Sequence, residues 1–149
     1  MKHSAFRKFL FILLGLSLVF AAAAWFLPYD WKPDPGARFR TAASQLKRDR
    51  SNYWLNIHLK KSGDANHDLL KPVRLILADG RELEPADTTF AGEPGVGTTA
   101  VWFLFWLEES DLTGPLSLKL NDGNLTVKST NGVPAIANAT MRTFSTHRW

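Results

Sequence analysis

Four histidines, fourteen carboxylates and no cysteine are the material from which any chemistry in this 149-residue chain must be built. Without cysteine there is no thiol nucleophile, no thiolate metal site and no disulfide. Catalysis needs a nucleophile, base or metal in a defined arrangement, and the histidines (His3, His58, His67 and His147) are scattered. No Gly-x-Ser-x-Gly or His-Glu-x-x-His pattern occurs. The densest acidic group, Glu108-Glu109-Ser110-Asp111, directly follows an apolar run, where acids ordinarily mark the return of the chain to solvent. His58 falls on the polar side of its own alternating segment. The expectation is a protein without catalytic residues, cofactor or metal.

Asp64-Ala65-Asn66-His67-Asp68 resembles the opening of an EF-hand calcium loop. Leu69, however, stands where that loop requires glycine, and Leu75 where it requires the bidentate glutamate. Gly92, Gly95 and Gly97 lie around Pro94 with no helix after them, so they make no phosphate cradle. The residues best suited to recognition are Trp54, Trp102 and Trp106. An indole on a flat sheet face stacks a sugar ring or anchors a protein partner. Trp102 and Trp106 share one side of their strand with Leu104 between them. The competing use is core filling, which is the expected one in a domain that has no disulfide to help hold it.

Charge excludes one class of partner. Residues 1–50 carry nine Lys/Arg against three acids, whereas residues 51–149 carry nine against eleven. The positive balance therefore belongs to the N-terminal third. Nucleic-acid binding needs a basic face on the folded domain itself, and none is expected. Arg38, Arg40, Lys47, Arg48 and Arg50 form a basic stretch with Asp49 inside it and no apolar stripe beside it, so it is read as a solvated element.

The elements that must position these residues begin with a membrane segment. Residues 1–8 are basic through Lys2, Arg7 and Lys8, and residues 9–27 are apolar apart from Ser17. A helix of roughly 20 residues crosses the hydrocarbon core, and the Lys/Arg bias favours an N-terminus held inside. Trp25, Tyr29 and Trp31 suit the far interface. The reading is a single-pass signal anchor in the inner membrane, with the lipid bilayer as its partner. The alternative is a signal peptide cleaved near Ala24, after the small residues Ala21-Ala22-Ala23-Ala24, which would release a periplasmic or secreted protein.

Beyond it, Pro28, Pro33, Pro35 and Gly36 place a Pro-rich spacer over residues 28–37. Residues 38–149 are expected to form the extracytoplasmic domain. Ala37 to Arg50 is ambiguous, since Phe39, Ala42, Ala43 and Leu46 keep helical spacing but Arg38 to Thr41 also suits a strand. From Asn52 the period becomes two, with Tyr53, Leu55, Ile57 and Leu59 on one face. Val73, Leu75 and Leu77 alternate, Asp79-Gly80 turns the chain, and residues 81–84 return. Ala86 to Thr98 is expected to be a long loop around Phe90. Val101 to Leu107 is continuously apolar and predicts a central strand with both faces covered. Leu116, Leu118 and Leu120 pair through the Asn121 to Asn124 turn with Leu125 and Val127, and a last strand falls near Met141 to Phe144. Six to eight short strands without a soluble helix predict an all-β domain, a small antiparallel β-sandwich of immunoglobulin-like or similar type. Such a module would engage a protein or glycan partner outside the membrane.

Overall fold

The computed structural model of this protein describes residues 2–26 and 34–149, with side chains described from Phe6 to Ala24 and from Asp34 onward. The N-terminal unit is a helix, α1 (Lys2–Phe26). Its span from Phe6 to Ala24, 19 residues of mean hydropathy 1.9, is long and apolar enough to cross a membrane, and none of that window is buried. The span thus starts three residues before the Phe9 expected from sequence. Leu27, Tyr29 and Trp31 lie outside the described residues, as does the Trp25 side chain.

The second unit consists of nine strands in two antiparallel sheets. They are β1 (Phe39–Asp49), β2 (Asn52–Lys61), β3 (Arg74–Ile76), β4 (Glu82–Leu83) and β5 (Asp87–Glu93). They continue as β6 (Gly97–Glu108), β7 (Leu116–Leu120), β8 (Gly123–Lys128) and β9 (Met141–Phe144). The five-stranded sheet runs β5-β6-β2-β1-β9 and the four-stranded sheet β4-β3-β7-β8. One apolar cluster draws on both. Leu46, Tyr53, Leu55, Ile57, Leu59, Val101, Phe103, Phe105 and Leu107 come from the larger sheet, and Leu75, Leu116, Leu118, Leu120, Leu125 and Val127 from the smaller. Each set is every second residue of its strand, as the pleat requires.

One ambiguity is resolved and two expectations change. Ala37 to Arg50 is not helical: Phe39 to Asp49 is β1, which pairs with β2 and β9. A bulge between Thr41 and Ala43 shifts the phase of the alternation, so Phe39 and Leu46 both point inward and mimic a helical repeat. The residues from Asp87 to Glu93 are not loop but edge strand β5, paired with β6. Its Gly, Thr and Ala content hides it, because an edge strand held by main-chain pairing needs few apolar side chains. The strand count therefore exceeds the expected six to eight. Thirdly, β6 is buried on one face only. Val101, Phe103, Phe105 and Leu107 are enclosed, while Trp102 and Leu104 are half-buried and Trp106 is 45% exposed.

The start of this unit is tied to the β7–β8 turn. The Asp34 carboxylate accepts hydrogen bonds from the Gly36 and Asn124 backbone N–H groups, at 2.9 Å each. Asn121, left-handed at φ 54°, is the hub of the turn. Its Nδ2 donates to the Ala37 carbonyl at 2.7 Å, and its Oδ1 accepts from the Asp68 N–H at 2.9 Å. The His67 ring Nδ1 lies 3.0 Å from the same oxygen. A Cβ on Gly123 would come within 2.3 Å of the Ala37 nitrogen, so only glycine lets the two segments meet.

Alternation assigns opposite costs to neighbours on paired strands. Leu55→Ala is expected to lower stability by about 2–5 kcal/mol through a core cavity. Gln45→Ala, half-buried on the outer face, is expected to stay within about 0.5 kcal/mol. Urea denaturation of both variants checks this, and equal losses would show that the faces are misassigned.

Candidate functional site

Strand register brings the three tryptophans flagged in the sequence onto one surface, the outer face of the five-stranded sheet. Trp106 on β6 pairs with Trp54 on β2, and Trp54 with Lys47 on β1. The next row outward is Leu104, Asn56 and Gln45, and the third is Trp102, His58 and Ala43. Each row alternates with an inward row of the core, so the packing of Leu55 and Phe105 fixes where Trp54 and Trp106 emerge. Core filling is thus not their use. Met141, opposite Lys47, extends the surface and is 59% exposed.

Side-chain geometry is partly preset. The His58 imidazole stacks on the Trp102 indole, centroids 4.5 Å apart and planes 4° from parallel. Burial, and then the nearby Lys60 charge, hold the His58 pKa below the ordinary histidine value, so the ring meets the indole uncharged at neutral pH. Asn56, at the centre, has an enclosed Oδ1 with no hydrogen-bond partner. An unpartnered buried acceptor has a cost, and its hydrogen-bonding capacity is unused. Within β6, β2 and β1 the three rows carry one formally charged side chain, Lys47, and Asp87 of β5 extends the second row beside Leu104. Trp102 and Trp106, four residues apart on an extended strand, have Cα atoms separated by about 13 Å.

The opposite outer face is different. On the four-stranded sheet Arg74, Ser117, Lys119, Asn124 and Thr126 alternate with the core residues, and no aromatic side chain stands among them. The two solvent faces of one domain are therefore chemically unlike.

The remaining polar groups have structural partners. Asp111, nearly buried in the short turn after β6, accepts from the Glu108 N–H at 2.9 Å and from the Arg81 guanidinium at 2.5 Å. The acidic run is thus a capped turn. His67 packs edge-on to Phe39 and Phe103 and against Phe90, and burial is the main cause that lowers its pKa. The loop that resembles a calcium site binds Asn121 instead. Lys128 is fully buried, donates to the Gly114 and Thr130 carbonyls and lies 5.9 Å from the Trp149 ring. Its burial lowers the amine pKa. Trp149 in turn donates to the Val127 carbonyl at 2.9 Å and stacks on Phe144, which holds the C-terminus to the sheet edge. Among the described residues no three His, Asp or Glu side chains converge as metal ligands would. Sequence reasoning found the tryptophans but not their partners: the β1 register that adds Gln45 and Lys47 is offset by the bulge.

Comparison with protein families, with curated proteins and with solved structures finds no match for this chain.

The His58 stack has a pH signature. Because the folded-state pKa is lowered, the unfolded chain binds more protons between that value and 6.5. Stability contributed by the neutral ring is therefore lost as pH falls through this window. The stability difference between wild type and His58→Gln is expected to shrink from pH 7 to pH 5, measured by urea denaturation at each pH. A difference that does not change with pH would contradict the stacked, neutral ring.

Proposed function

We propose that this chain is a single-pass inner-membrane protein, N-terminus inside, that presents a non-catalytic β-sandwich outside the cytoplasm as an interaction module. Its working surface is the outer face of the five-stranded sheet. One observation carries this reading. Three of the chain's six tryptophans share a half-open face with Leu104 and Met141, whereas the other outer face is polar throughout its strands apart from Ile76. Aromatic side chains left open on one sheet face and absent from the other are the mark of a surface that is covered in use, and the more exposed Leu69 and Leu70 lie in the loop between β2 and β3, off both faces.

The sandwich is supported by the single apolar cluster shared between the two sheets. The strand orders mix hairpin neighbours with the crossovers β6-β2, β1-β9 and β3-β7, and lend the immunoglobulin-like subtype no particular support. The anchor is supported by the 19-residue apolar span and by Arg7 and Lys8 near its start. Lipid contact through residues 9–27, and interfacial roles for Trp25, Tyr29 and Trp31, belong to the same proposal. The runner-up, release by cleavage near Ala24, rests on the four alanines that close the span.

Two measurements test this. A C-terminal alkaline phosphatase fusion expressed in bacteria should be active in the membrane fraction, and the intact mass of the unfused chain should include residues 1–24. A soluble product beginning at Trp25 would replace the anchor with the released form. A photo-activatable residue in place of Trp106 should form adducts in cells, and one in place of Lys119 on the polar face should not. Equal yields, or none at position 106, would remove the proposed surface.

A further inference from the structure

We propose that the occupant of the tryptophan face is an uncharged glycan chain, bound lengthwise along β6 on the face that β6, β2 and β1 form. The inference rests on the interaction-module reading and names the ligand for that surface. A sugar ring has an apolar C–H face and a polar rim of hydroxyls. The surface repeats the same duality. Trp54, Trp102 and Trp106 offer flat apolar area, and Asn56, Gln45 and His58 stand between and beside them with amide and imidazole groups. Indoles suit such amphipathic partners because they combine a large apolar body with a polar edge.

Charge selects among ligands. Nucleic acid or anionic lipid head groups would require a surplus of Lys and Arg on the face. On β6, β2 and β1 the three rows hold Lys47 alone, Asp87 of β5 brings an opposite charge to the second row, and His58 is kept neutral by its burial. An uncharged ligand matches a nearly uncharged centre. The enclosed Oδ1 of Asn56 has no donor, and a turn of its amide toward the surface would meet a ligand hydroxyl without breaking a bond to that oxygen. A protein-interface core is likewise depleted of charged residues, so what favours a glycan is the alternation of rings with amides at the centre of this face, which matches a sugar's C–H face and hydroxyl rim. The stack on His58 holds the Trp102 indole in place before binding, which lowers the ordering cost. The separation of about 13 Å between Trp102 and Trp106 along the strand accommodates a short oligosaccharide rather than one monosaccharide.

The test uses the full chain in nanodiscs of zwitterionic lipid, because sugar-based detergents would compete for the same face. Chitohexaose and cellohexaose are titrated by calorimetry and by tryptophan fluorescence. At least one should bind saturably and shift the emission. Trp106→Ala and Trp102→Ala should each weaken that binding at least about tenfold, close to 1.4 kcal/mol. Trp106→Phe, which keeps a ring, should retain part of the affinity, and Lys119→Ala all of it. Circular dichroism confirms that each variant is folded. No binding of either sugar at millimolar concentration, or undiminished binding by folded Trp106→Ala, overturns the glycan assignment. If the sugars fail while position 106 still forms photo-adducts with a protein, the ligand is wrong and the surface stands. If both fail, the surface falls as well.

Discussion

The period of two in an extended chain is the constraint on which this domain depends. β2 and β6 are long, paired along nearly their whole length, and apolar at every second residue on the inward side. With no cysteine to staple it, the domain is held by that inward set and its counterpart on the smaller sheet. The same alternation leaves the outward set no choice of position. Once Leu55, Ile57, Phe103 and Phe105 are buried, Trp54, Asn56, His58, Trp102, Leu104 and Trp106 must share the other face. A slip of one residue would exchange the two sets, so the core that stabilises the fold also specifies the surface.

A second constraint acts where the chain enters the domain. Asp34, Gly36 and Ala37 are fastened to the β7–β8 turn by the Asp34 carboxylate and the Asn121 amide. Asp122 adds ion pairs to Arg38 and Lys71 on the exposed side. Exposed pairs contribute little on their own. The buried Asn121 matters more, since its removal would leave the Ala37 carbonyl and the Asp68 N–H without partners. Thus Asp34 to Ala37 pack onto the domain although composition marks them as spacer, because a Pro-Gly sequence is as suited to a tight 3-10 turn as to an extended linker.

Much of this was legible in the sequence. The alternation from Tyr53 to Leu59, the Asp79-Gly80 turn and the Leu116 to Val127 hairpin all appear as the pattern indicates, because each writes its burial into every second residue. β5 did not, for its stability lies in backbone pairing with β6, which side chains do not record. β1 was ambiguous because a bulge changes the phase of alternation and no local signal marks a bulge. For the candidate site, residue type singled out Trp54, Trp102 and Trp106, but seven consecutive apolar residues in β6 cannot say which face is covered. That depends on what packs over the sheet, a property of the whole fold.

The accessibility of individual tryptophans tests the central claim most directly. Hydroxyl-radical footprinting of the full chain in nanodiscs, resolved residue by residue, should modify Trp106 fastest, Trp54 and Trp102 at intermediate rates, and Trp149 slowest, in line with its burial against Phe144. Protection of Trp106 equal to that of Trp149 in the folded chain without ligand would mean that the outward set of β6 is packed away. The division of the two strands into a core side and a working side would then be wrong.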